Sequence, residues 1–203
     1  GEECFDTFEW VRQVAVDFLD TGIPPGCLIF TDGSLMDCKL PSECFSLGWA
    51  FCVIKTNGDI VASARGVPPR WVNTIQGAEL WAVRMALMRV NFPEGLYTDC
   101  DTVRLGLLRG PAWANSAKRK YSRVWSSTVT LLDEGGDRLH WMPAHTSKAS
   151  IGSAKCSNGR VVDDIFWSAN QVVDLMAKDA AEAIRVSQDF RESLLCQEQQ
   201  LSD

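Results

Sequence analysis

The spacing of hydrophobic positions changes along the chain. Phe5, Phe8, Val11, Val14 and Phe18 fall three to four apart and predict an amphipathic helix over 5–19. Gly22-Ile23-Pro24-Pro25-Gly26 breaks it. A short apolar strand is predicted over 27–31, ending at Asp32-Gly33-Ser34, and a second over 47–54. Asn57-Gly58 between apolar runs signals a hairpin, so 59–65 reads as a third strand antiparallel to the second. Helical spacing returns over 76–90, with Leu80, Val83, Leu87 and Val90 on one face. A strand over 96–98 stops at Asp99, and a short helix follows over 102–108. A longer helix is predicted over 117–132, with Tyr121, Val124, Thr128 and Leu131 inward. A fifth strand over 138–142 stops at Pro143. A last helix over 169–186 places Val173, Met176, Ala177, Ala180 and Ile184 on one face, and the polar stretch from Gln188 is expected to fray. Hairpin strands followed by strand–helix alternation predict an α/β domain, a mixed sheet covered by helices.

Composition narrows this without adding chemistry. With 203 residues, 46% hydrophobic and 23% charged, the chain reads as one globular domain with extensions, not as a disordered or repetitive protein. The expected divisions are an N-terminal helix and linker (1–26), a main domain (27–186) with a long loop over 147–168, and a C-terminal tail (187–203). No apolar run approaches the ~20 residues of a membrane span, and no basic-then-apolar leader opens the chain. The first residue is Gly1, which we read as an excerpt of a longer protein. The eight cysteines contain no C-x-x-C pair, and a chain of this length can build a core without staples. They read as reduced thiols of an intracellular protein, nuclear or cytoplasmic and not secreted.

The net charge of −6 hides a segregation. Residues 1–20 carry −5 and residues 163–203 carry −6, so the middle holds +5. Within it, 102–132 has six bases (Arg104, Arg109, Lys118, Arg119, Lys120, Arg123) and no acid, and 138–162 has four bases and no acid. Such a middle can hold a polyanion, although a basic run is more often a solvated face.

Four acids stand where apolar runs end. Asp32 and Asp99 are expected at the ends of two strands, Glu79 in the first turn of a helix and Asp174 early in the last one. A carboxylate among apolar neighbours is costly unless it is paired or bound to metal. If the strands over 27–31 and 96–98 are neighbours, Asp32 and Asp99 lie side by side and raise each other's pKa. A divalent cation removes that conflict, and oxygen ligands suit Mg²⁺ or Mn²⁺. Each acid also has a plain reading: an Asp-Gly turn at Asp32, a helix-dipole partner at Glu79, a cap at Asp99 and a surface acid at Asp174.

Five short motifs then occur in order: Thr31-Asp32-Gly33-Ser34, Gly77-Ala78-Glu79-Leu80, Tyr97-Thr98-Asp99, Pro143-Ala144-His145-Thr146 and Asn170-x-x-x-Asp174-x-x-Ala177. Their order and spacing resemble a type 1 ribonuclease H domain, of the flavour found in retroelement polyproteins, over about 27–184. The resemblance implies a ribonuclease H-like five-stranded mixed sheet. Its first three strands are antiparallel, its fourth and fifth are parallel to the first, and helices flank it; here an N-terminal helix is extra. It further implies a metal-dependent endoribonuclease acting on the RNA strand of RNA–DNA hybrids, with two Mg²⁺ (or Mn²⁺) ions held by Asp32, Glu79, Asp99 and Asp174. His145 would be a mobile histidine that shuttles a proton or helps release product, histidine being the side chain whose ordinary pKa lies near neutrality. Gln76 would offer an amide to the minor groove, Thr74 a phosphate contact and Gly33 and Ser34 main-chain contacts. Lys118, Arg119, Lys120 and Arg123 would hold phosphates. His140, inside a strand pattern, reads as structural, and Trp113 reads equally as a stacking surface or a buried residue. The chain departs from the pattern in three places. Asp101 stands where an amide is usual, the 147–168 loop is long, and the basic segment between Arg109 and Trp125 is short. The loop carries Lys148, Lys155 and Arg160 and reads as a substrate arm or a spacer; its Cys156 with His140 and His145 fits no standard zinc spacing. The short basic segment points to help from a linked reverse transcriptase domain, with the excised domain expected to be a monomer away from membranes. Two other readings stay open: a catalytically weak docking module for nucleic acid or protein, and a nuclease acting on another duplex.

Overall fold

A computed structural model describes residues 7–13, 26–90, 95–133 and 135–202. Its strands are β1 (Thr7–Gln13), β2 (Leu28–Met36), β3 (Ser46–Ile54), β4 (Ile60–Val67), β5 (Gly95–Thr98) and β6 (Leu139–Trp141). Its helices are α1 (Ile75–Arg89), α2 (Asp101–Leu108), α3 (Pro111–Ala114), α4 (Ser122–Leu132), α5 (Asp164–Ala183) and α6 (Gln188–Ser202). The strands form one sheet in the order β1-β4-β3-β2-β5-β6. Asn57-Gly58 turns the chain between β3 and β4, with Gly58 N–H donating to the Lys55 carbonyl at 2.9 Å. β2, β3 and β4 run antiparallel, while β5 is parallel to β2 and β6 to β5. These five strands form the expected mixed sheet.

β1 is a sixth strand, antiparallel to the outer edge of β4. It corrects the helix expected over 5–19: Thr7–Gln13 is extended, and the rest of that stretch lies outside the described residues. Thr7-Phe8-Glu9-Trp10 also alternates polar and aromatic, a period of two that suits a strand. The open hydrogen-bonding edge of β4 favours it over the helical spacing.

Helices cover both faces, which is why every residue of β3 is buried. On one face Ile29, Trp49, Phe51 and Val53 pack with Leu80 and Val83 of α1 and Trp125 of α4. On the other, Phe30, Ala50, Cys52 and Tyr97 meet Phe166, Val173 and Ala177 of α5. Two glycines set these distances. A β-carbon on Gly33 would sit 2.6 Å from the main-chain nitrogen of Glu79, and one on Gly48 would sit 2.1 Å from the Ala177 carbonyl oxygen. The sheet therefore lies against the backbones of α1 and α5 at these points.

Several boundaries differ from expectation. β2 runs through Asp32 to Met36, because Asp32, Gly33 and Ser34 continue the ladder against Ala50, Trp49 and Gly48. The helix expected over 117–132 begins at Ser122, after Tyr121 in the left-handed region (φ 62°), and Leu132 is buried in place of Leu131. The last long helix starts at Asp164, because Asp163 caps it by accepting from Phe166 N–H at 2.9 Å. The stretch from Gln188 is helical, with Ser187 Oγ accepting from Phe190 N–H and Gln188 donating to Glu192 one turn on. The 146–163 segment is folded. Cys156 and Val162 join the apolar cluster under α5, Lys155 bridges Val161, and Asn158 donates to the Tyr97 hydroxyl at 3.0 Å. The seven described cysteines are free of disulfides. Among the described residues no helix is long and apolar enough to cross a membrane.

Candidate active site

The parallel register of β2 and β5 pairs Thr31 with Thr98, so Asp32, still within β2, and Asp99, just past the end of β5, follow side by side. Glu79 reaches the same point from α1, whose backbone Gly33 admits so closely. One carboxylate oxygen from each of Asp32, Glu79 and Asp99 lies within 4.8 Å of the others. Asp32 and Glu79 are buried and Asp99 is half-buried.

The plain readings of Asp32, Glu79 and Asp99 fail. Asp32 is inside a strand, not in a turn. Glu79 is the fifth residue of α1, beyond the first turn, and Thr74 caps that helix. The residue preceding α2 is Cys100, without a side-chain cap. Asp174 sits in the middle of α5, not early in it, and is half-buried.

Burial and mutual charge shape the electrostatics of the cluster. Burial, then the charge of Asp99, pushes the Asp32 carboxyl up to about 8, while a hydrogen bond with Glu79 opposes the shift. Burial, then Asp32 and Asp99, holds Glu79 well above the ordinary carboxylate range. Burial also raises Asp99; the charge of His145 opposes this and that of Asp174 adds to it. Glu79 Oε2 is buried with no hydrogen-bond partner. An acceptor stranded beside two like charges has the chemistry of a divalent-cation ligand set, and the oxygen donors fit Mg²⁺ or Mn²⁺. Asp174 stands outside the three-acid cluster and pairs with Lys178 Nζ at 2.7 Å. His145 is exposed, follows β6, and has a left-handed backbone (φ 48°).

No protein-family model and no curated protein matches the sequence. Solved structures do match. The foamy viral protease-reverse transcriptase in complex with RNA/DNA hybrid superposes with a TM-score of 0.55 at 17% identity, over 80% of this chain and 21% of that one. The solution structure of the prototype foamy virus RNase H domain superposes with a TM-score of 0.52 at 18% identity, over 78% of this chain and 95% of that one. The chain has the ribonuclease H fold. At these identities the likeness concerns the fold, and this chain spans about a fifth of the viral polypeptide.

On this ribonuclease H fold the expected substrate residues are distributed unevenly. Gln76, Lys118, Arg119 and Lys120 line one cavity of about 470 Å³, together with Arg109, Leu105, Trp113 and Trp125. Arg119 stacks its guanidinium 3.3 Å from the Trp113 ring centre and donates Nε–H to the Trp113 carbonyl at 3.0 Å. One face of Trp113 is thus covered, and its edge-on contact with Trp125 ties the arrangement to the core. Arg123 is exposed outside that lining. The Thr74 hydroxyl accepts from Gly77 N–H and shares a hydrogen bond with the Tyr121 hydroxyl. Ser34 is buried, and Gly33 faces α1, so neither stands at the surface.

Asp101 is answered within its own helix, since Arg104 Nε lies 2.7 Å from its carboxylate. His140 packs against Tyr97, in keeping with a structural role. Sequence reading named Arg109 only as one of six bases and passed over Lys178, Trp141 and Trp167. Arg109 belonged to the basic run, and Lys178 stands one helical turn after Asp174. The indoles act on main-chain carbonyls, for which the sequence holds no mark.

Proposed function

We propose that the chain is a metal-dependent ribonuclease that hydrolyses the RNA strand of RNA–DNA hybrids, with two divalent ions at the acid cluster. The observation that carries this reading is the convergence of Asp32, Glu79 and Asp99 within 4.8 Å, around a buried carboxylate oxygen that lacks a partner. Bound Mg²⁺ or Mn²⁺ supplies charge that lowers the pKa of an attacking water and offsets the negative charge of the scissile phosphate. Asp32, Glu79 and Asp99 would hold the ions, and Asp174 would join them if it exchanged its partner Lys178 for a cation. His145, exposed and within electrostatic reach of Asp99, carries a proton to or from the reacting oxygens.

Grip on the hybrid comes from phosphate contacts by Lys118, Arg119, Lys120 and Arg123, and Gln76 reads the 2′-hydroxyls of the RNA strand. Lys120, which donates to Asn73 Oδ1 at 2.8 Å, stands beside Thr74 and extends that contact toward the DNA strand. Arg104 neutralises Asp101 where a free acid would repel phosphate. One protein that shares the fold, the foamy viral protease-reverse transcriptase, is known in complex with an RNA/DNA hybrid, which supports the substrate class. A linked reverse transcriptase domain and a monomeric excised domain complete the proposal.

A second reading, a docking module with weak or no catalysis, draws on the Lys178–Asp174 pair, which occupies the fourth acid. The experiment that separates them is incubation with labelled RNA–DNA hybrid, double-stranded RNA and double-stranded DNA, in Mg²⁺, Mn²⁺ or EDTA. The ribonuclease reading expects hybrid RNA to be cut, with loss in EDTA and in Asp32→Asn. Tight hybrid binding without cleavage assigns the chain to docking, and cleavage of another duplex assigns it another substrate.

A further inference from the structure

Trp167 lies on α5, seven residues before Asp174, and its indole N–H donates to the main-chain carbonyl of Thr146 at 2.8 Å. Thr146 directly follows His145, whose φ of 48° lies in the left-handed region. A residue with a β-carbon is strained there and persists only where its surroundings over-determine it. Lys148 Nζ lies 5.2 Å over the Trp167 ring, a second contact between this indole and the loop. Across the site, the Trp141 indole N–H donates to the Asp99 carbonyl at 3.0 Å. Trp141 is itself fixed by Ser157: its N–H donates to Ser157 Oγ at 2.8 Å, and its carbonyl accepts from Ser157 N–H at 2.9 Å. Two indoles thus hold the main chain on either side of the gap between Asp99 and His145, and the folded 146–163 segment leads from one to the other.

We propose that Trp167 is a positioning residue for His145, acting through the Thr146 carbonyl to hold the histidine loop in its left-handed conformation beside Asp99. The inference rests on the hydrolytic reading above. Without the indole donor the Thr146 carbonyl loses its anchor to α5, and the strain at His145 relaxes by moving the imidazole away from the acids. A displacement of about 1 Å is enough to reduce turnover severely.

Trp167→Phe keeps an aromatic ring and removes the donor. With the intact chain and an RNA–DNA hybrid, kcat is expected to fall about tenfold at unchanged KM. In a His145→Ala background the same substitution is expected to cause no further loss. Amide hydrogen exchange at Ser150 and Ile151, whose N–H groups donate to the Ser147 and Lys148 carbonyls just beyond the anchored Thr146, is expected to quicken about tenfold, a readout that needs no activity. Wild-type kcat in Trp167→Phe, an equal loss in both backgrounds, a change confined to KM, or unchanged exchange overturns the inference. A wild-type chain that leaves the hybrid intact overturns the hydrolytic reading, and the exchange result then decides the Trp167 clamp by itself.

Discussion

Lys178 Nζ sits 2.7 Å from the Asp174 carboxylate, one helical turn further along α5. On the metal-dependent reading Asp174 would complete a four-carboxylate site, and a divalent cation would then compete with this lysine. Such a half-exposed pair is worth about 0.2–1 kcal/mol. Lys178→Ala is therefore expected to lower the half-saturating Mg²⁺ concentration of hybrid cleavage by up to about fivefold, measured by metal titration at fixed substrate. An unchanged or higher requirement would separate Asp174 from the metal site.

The three clustered acids predict an unusual dependence of metal-free stability on pH. Asp32 titrates near the ordinary carboxylate value when unfolded and is pushed up to about 8 when folded; Glu79 and Asp99 shift in the same direction. The folded chain then binds more protons than the unfolded one, so stability falls as pH rises. In EDTA the melting temperature is expected to drop between about pH 4 and 8, and added Mg²⁺ is expected to raise it most at the upper end. Asp32→Asn should flatten this dependence. A melting temperature that climbs through the same interval contradicts the buried cluster.

The Asp37 carboxyl answers to the opposite sign. Arg185 donates to it through two nitrogens at 2.8 Å and holds it below its ordinary value. That contribution is present above the unfolded carboxylate value and disappears as pH falls through the lower folded one. Arg185→Ala is expected to flatten the acid limb of the stability curve and leave the limb toward pH 8 in place. The comparison needs only melts in EDTA across the range.

The core beneath α5 gives a separate expectation. Phe166 is fully buried, edge-on to Phe30 at 5.0 Å and to Tyr97 at 4.7 Å. Phe166→Ala is expected to cost about 3–5 kcal/mol in denaturant unfolding. A loss below about 1 kcal/mol would mean that this face of the sheet is not packed as described.

Phosphate grip can be read from salt. Reversing the charge of Lys118 and Lys120 removes two cations from the cavity that also holds Gln76 and Arg119. The slope of log affinity against log salt should shrink by about 0.9 for each phosphate that is no longer neutralised, with weakening across hybrid sequences alike. An unchanged slope would place the nucleic acid elsewhere on the surface.

How much of this was legible beforehand depended on the scale of the cause. The hairpin at Asn57-Gly58 and the helix carrying Glu79 came from local spacing, which the tertiary structure did not overrule. Asp32 and Asp99 were legible as neighbours once their strands were taken as adjacent, and the register of Thr31 with Thr98 provides that adjacency. The N-terminal strand was not legible, because the helical spacing of Phe5, Phe8 and Val11 is local whereas the reason for a strand is the distant open edge of β4. The fold of 146–163 was hidden similarly. Its small polar residues hold together through main-chain bonds and through two buried residues, Cys156 and Val162, that share an apolar cluster with Phe30 and Tyr97, far from them in sequence. Main-chain contacts at Gly33 and Ser34 came from the resemblance, and the burial of both residues had no mark in the sequence. The close approach of α1 gives Gly33 a different purpose.

On the metal-dependent reading Asp32, Glu79 and Asp99 form a cation site. Diffraction from a crystal grown in Mn²⁺, recorded for anomalous scattering, tests it most directly. We expect manganese peaks within about 2.0–2.5 Å of oxygens from these three carboxylates, lost in Asp32→Asn. A well-ordered acid cluster without manganese, or manganese bound only at other acids, would contradict it.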